Sequence, residues 1–79
     1  MSNTIENLIA ERKNLRQSIT ALRFDLKSAL FESNLRRAQT EQKNILKAEL
    51  RIRQITFEIA SQHYIEEIKH LEQTINENS

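Results

Sequence analysis

Neither glycine nor proline occurs anywhere in the 79 residues, and that absence narrows the available folds more than any motif does. Tight hairpins, dinucleotide-binding loops and phosphate cradles all need glycine, either for a positive φ or to let a ligand approach the backbone. Cysteine is absent too, which removes disulfide scaffolds, zinc ribbons and thiol catalysis. The longest apolar run is three residues (Leu8-Ile9-Ala10), too short for a membrane span or a signal-peptide core. The expectation is one soluble, cytoplasmic helical domain over residues 1–79. At this length a lone chain buries only a thin core, so self-association is also expected.

Apolar periodicity supplies the helices. Ile5, Leu8, Leu15, Ile19, Leu22, Leu26 and Ala29 follow a 3-4 spacing, with Arg12 in the one gap. Leu46, Leu50, Phe57, Ala60, Tyr64, Ile68, Leu71 and Ile75 continue it, with Arg53 inside the stripe. Each set forms a narrow band on a helical wheel and reads as a coiled-coil seam. Asn3 with Glu6 resembles a capping box for the first helix, Asn34 is the residue expected to end it in the left-handed region, and Thr40 with Glu41 is expected to start the second. These signals predict helix 1 over about residues 4–32, a turn over about 33–40 and helix 2 over about 41–77.

Folding the two seams about Ala38 aligns seven layers. Ile5 meets Leu71, Leu8 meets Ile68, Arg12 meets Tyr64, Leu15 meets Ala60, Ile19 meets Phe57, Leu22 meets Arg53 and Leu26 meets Leu50. The fold class expected is therefore an all-α, antiparallel two-helix hairpin of coiled-coil type. One unbroken helix pairing antiparallel with its own copy satisfies the same layers.

A second set lies off these seams: Ala21, Phe24, Phe31, Leu35, Ile45, Ala48, Ile52, Ile55 and Ile59. A hairpin built on the first set leaves it wet, so it is assigned to an oligomer interface. The interface residues are Phe24, Phe31, Leu35, Ile45, Ile52, Ile55 and Ile59. A two-fold partner would bring Phe24 near Ile52 and Phe31 near Ile45, giving a homodimeric four-helix bundle.

Catalytic chemistry has little to stand on. His63, Glu66, Glu67 and His70 share a helix face, but the facing helix offers only Glu6 and Glu11 as further ligands, and an ordinary solvated face is expected. Arg12 and Arg53 are expected at the solvent edge, Arg12 along Tyr64 and Arg53 reaching Asp25 or Glu49. No Ser-His-Asp pattern or oxyanion-hole turn exists. No enzyme activity, cofactor or metal is therefore expected. Residues 26–55 carry seven basic against three acidic side chains, so Arg36, Arg37, Lys43, Lys47 and Arg51 are the expected contacts to a partner or to phosphate. The functional expectation is a protein–protein interaction module, an adaptor, regulator or assembly factor. The alternative is a small nucleic-acid-associated protein using the basic turn-proximal end.

Overall fold

The computed structural model describes residues 3–78. Helix α1 spans Asn3–Phe31 and helix α2 spans Leu35–Glu77. They pack antiparallel as a hairpin measuring 70 × 17 × 14 Å. The described residues contain no strand, and none of their helices is long and apolar enough to cross a membrane. The cap expected from the Asn3 side chain lies outside what is described.

The hairpin bends without glycine because two hydrogen-bonding motifs share one corner. Ser33 takes a positive φ of 58°. The Asn34 N–H then donates to the Ala29 carbonyl at 2.8 Å and the Ser33 N–H donates to the Leu30 carbonyl at 3.0 Å. This pair of bonds is the Schellman closure, which satisfies carbonyls that a helix end leaves unpaired. Asn34 simultaneously caps α2: its side chain accepts from the Arg37 N–H at 3.1 Å, and its carbonyl accepts from the Ala38 N–H at 3.0 Å. An ion pair from Arg37 Nη1 to Glu32 Oε2, 3.0 Å, ties the two sides of the corner together. The left-handed residue is thus Ser33, one position before the expected Asn34. Thr40, expected to cap α2, lies inside the helix, where its hydroxyl donates back to the Arg36 carbonyl at 3.2 Å.

The corner corrects the register. α1 buries the expected seam: Leu8, Ile19 and Ala29 are enclosed, and Ile5, Leu15, Leu22 and Leu26 are half-buried. α2 answers with Ala38, Ile45, Ala48 and Ile55, all buried, flanked by half-buried Ile52 and Ile59. None of the seven layers folded about Ala38 forms. With the fold at Ser33 and Asn34, each α1 residue faces a position about nine residues earlier in α2, which at 3.6 residues per turn rotates α2 by about half a turn. Leu46, Leu50, Phe57, Tyr64, Ile68, Leu71 and Ile75, expected in the seam, point away from α1 and stay exposed. The Arg12 guanidinium likewise reaches Thr56 Oγ1 at 3.1 Å and not Tyr64, and Glu49 pairs with Arg23 at 3.5 Å and not with Arg53.

The core centres on Ile19, Ile45 and Ala48, with Leu15, Leu22, Leu26 and Ile52 around them. Ile55 is fully enclosed, and Ala29 with Ala38 lets the helices approach closely beside the corner. Beyond this core α2 continues past the described start of α1. From Gln62 to Asn78 every residue is exposed.

Two outcomes test this architecture. Ser33→Gly removes the side-chain cost of the left-handed backbone and is expected to raise stability by up to about 1 kcal/mol, whereas Ser33→Val lowers it by at least that much. Ile55→Ala is expected to cost about 2 to 5 kcal/mol, while Phe57→Ala, two residues on and facing outward, costs the dilute chain under about 1 kcal/mol. Circular-dichroism melts at low protein concentration read both.

Candidate interaction surface

α2 has two apolar faces. The inner one, Ala38 to Ile59, packs on α1. The outer one, Leu46, Leu50, Phe57, Tyr64, Ile68, Leu71 and Ile75, sits about 140° around the helix at 100° per residue. These seven side chains are 37% to 73% exposed. Arg53 and Phe57 line an open groove on this face with Gln54 and Glu58.

The two faces have different lengths. Continuing the inner face past Ile59 at the same spacing gives Gln62, Glu66, Lys69 and Gln73, all polar. The inner face therefore stops being apolar where α1 runs out, as expected of a surface whose only use is to cover α1. The outer face does not stop there. Tyr64, Ile68, Leu71 and Ile75 carry it to the last turns of α2, where these four side chains stay exposed beyond the described start of α1. Isolated single apolar residues on a surface are ordinary, but a continuous stripe on a projecting helix is not.

The residues assigned to an oligomer interface divide between inside and outside. Ile45 and Ile55 are buried and Ile52 and Ile59 half-buried against α1 of the same chain, so they are core and are not available to a partner. This corrects the pairing of Phe24 with Ile52 and of Phe31 with Ile45 across a dimer. Phe24, Phe31 and Leu35 are 71%, 92% and 69% exposed. Phe24 and Phe31 lie on the side of α1 turned away from α2, with Phe24 beside Thr20, Arg23 and Lys27.

The basic residues divide in the same way. Arg36, Lys43 and Lys47 are exposed on the first half of α2. Arg37 is held by Glu32, and Arg51 is engaged from two sides. Its Nε and Nη2 donate to the two carboxylate oxygens of Glu11 at 2.8 and 3.0 Å, a bidentate clasp across the hairpin, and its Nη1 lies 3.8 Å from Glu58. The hydrogen bonds from Arg51 hold the Glu11 carboxyl below its ordinary value, and the same bonds raise the Arg51 guanidinium further. Arg51, expected as a phosphate contact, is therefore a structural cross-tie. His63, Glu66, Glu67 and His70 are exposed on the overhang, and among the described residues no group of three or more carboxylates or histidines is placed to hold a metal ion.

Sequence reasoning placed the outer stripe inside the hairpin. The signal that identifies it as a surface is the change at Gln62. Counting outward from a corner at Ser33 and Asn34, the stripe that turns polar opposite the start of α1 is the one that faces α1.

The Glu11–Arg51 clasp gives a pH dependence. A carboxyl whose folded value lies below its unfolded one stabilises the fold above that ordinary value, 4.5, and loses the contribution as pH falls through the folded value. Denaturant midpoints of the chain and of Glu11→Gln, followed from neutral pH downward, should differ most near neutrality and converge in acid. Compared with known protein families, characterised proteins and solved structures, the chain matches none of them.

Proposed function

We propose that this chain is a non-enzymatic helical interaction module that works by protein–protein association through the outer stripe of α2, and that it associates with itself as a dimer contributing four helices. The observation that carries this reading is the continuation of Leu46, Leu50, Phe57 and Tyr64 into Ile68, Leu71 and Ile75 along a helix that has already left its intrachain partner. Leaving such side chains in water forgoes about 1.5 to 3 kcal/mol each, a large sum beside the 5 to 15 kcal/mol by which folded domains are usually stable. A partner recovers that free energy, and α1 cannot supply it.

The product of such a molecule is a surface. It needs no cofactor, and its role is that of an adaptor, regulator or assembly factor. The nucleic-acid reading has less support, because Arg37 and Arg51 are committed to carboxylates and no aromatic side chain is interleaved with Arg36, Lys43 and Lys47 for base stacking.

Sedimentation of the chain against the double variant Leu50→Glu, Phe57→Glu tests the reading. The native chain should sediment above its monomer mass at tens of micromolar. The variant should be monomeric with its helical circular dichroism intact, since both residues face away from α1. A variant that associates as well as the native chain would show that the stripe is not the docking face.

A further inference from the structure

We infer that the occupant of the outer stripe is a second copy of α2, running antiparallel, with the two-fold axis passing at the Ala60–Ser61 peptide. The inference rests on the stripe being a docking surface and adds its partner, direction and register.

Spacing is the first argument. The large stripe positions and the arginine among them, 46, 50, 53, 57, 64, 68, 71 and 75, are separated by 4, 3, 4, 7, 4, 3 and 4 residues, a series that reads the same in either direction. A strict heptad continuation would place Glu67 and Thr74 in the stripe; the sequence instead shifts the apolar residues to Ile68 and Ile75, which makes the pattern symmetric. Reversed on itself about Ala60 and Ser61, the stripe sets Leu46 against the partner's Ile75, Leu50 against the partner's Leu71 and Phe57 against the partner's Tyr64. Arg53 lays its stem on the partner's Ile68, its guanidinium free to reach the edge. At the centre, where the axis brings identical residues together, stand the small side chains of Ala60 and Ser61.

Charge is the second argument and is independent of the first. In this register residues 44–60 face the partner's residues 61–77; the first stretch holds three basic and two acidic side chains, a net +1 with Arg51 already held by Glu11, and the second holds four acidic and one basic, a net −3. Antiparallel pairing lays each acidic stretch on the partner's weakly basic one, twice over by symmetry, whereas parallel pairing stacks the acidic stretch on its own copy. At the two edges of the stripe Lys47 falls beside the partner's Glu72 and Arg53 beside the partner's Glu67. Exposed pairs of this kind act more on direction and register than on affinity.

Area is the third. The seven exposed side chains present on the order of 800 Å², about what each partner gives to a standard-sized interface. The overhang now has a purpose: the projecting last turns of each α2 cover the stripe where the other α2 is still backed by its own α1. The four helices lie in the order α1, α2, partner α2, partner α1, a layer and not a square bundle.

The chain has no cysteine of its own, so single cysteines report the geometry under mild oxidation. Ala60→Cys should link to itself as a dimer of doubled mass. Leu46→Cys alone should not, because its two copies lie about 43 Å apart in this register. Leu46→Cys mixed with Ile75→Cys should link one chain of each kind. Leu46→Cys linking to itself, with the mixture unlinked, would overturn the direction while leaving the stripe as the docking face, since the glutamate double variant would still abolish the dimer. A native chain that sediments as a monomer, with Ala60→Cys unlinked, would overturn both.

Discussion

Everything else in the molecule depends on the corner at Ser33 and Asn34. A helix end leaves carbonyls unpaired and a helix start leaves N–H groups unpaired, and burying either without partners costs more than most contacts return. Here the same two residues satisfy both needs: the backbone of Ser33 and Asn34 closes α1, and the side chain and carbonyl of Asn34 open α2. A turn with so few free dihedrals does more than reverse the chain. It dictates the rotation of α2 about its own axis as well as its direction, and so selects which of the two stripes on α2 meets α1.

The selected stripe suits the space left by so tight a bend. Ala29 and Ala38 stand beside the corner, where the axes are closest, and the larger Ile19, Ile45 and Ile55 follow where there is room for them. The bulky Leu50, Phe57 and Tyr64 are turned outward by the same rotation. Division of labour on α2 follows: one face ends where α1 ends, and the other continues to the tip of the helix. Ion pairs from Arg51 to Glu11 and from Arg23 to Glu49 fasten the edges of the inner face, which removes Arg51 from the pool of charges open to a partner.

Much of this was legible in the residues alone, and the remainder failed for one physical reason. The all-helical class, the two helices and the seam of α1 from Ile5 to Ala29 follow from 3-4 spacing, and the structure has them. Two readings went wrong at α2, its start at Thr40 and its inner face from Leu46 to Ile75, and they are a single error. A helix with two apolar stripes about 140° apart offers two hairpins of comparable periodicity, and only the position of the bend decides between them. Without glycine or proline to mark it, the bend rests on a serine in the left-handed region, which composition does not announce. The interface residues moved with the register: Ile45, Ile52, Ile55 and Ile59 became core when Leu46, Leu50 and Phe57 became surface.

The corner also bears on how the chain finds its fold. The buried residues on the two sides of the bend begin with Ala29 and Ala38, nine residues apart, and the contacts across the hairpin reach outward to Glu11 with Arg51 and to Arg12 with Thr56, 40 and 44 residues apart. Each closed layer shortens the loop that the next must close, so loop entropy is met in small increments and not at one large step. A hairpin closed in this order is expected to zip from its bend in about microseconds to milliseconds, the bend forming before the far end. By the same reasoning its unfolding is expected to begin at the opposite end, with α1 opening from its start inward. The inner face of α2 is therefore bared from Ile59 toward the corner, and the last residues to lose their partners are those that set the register.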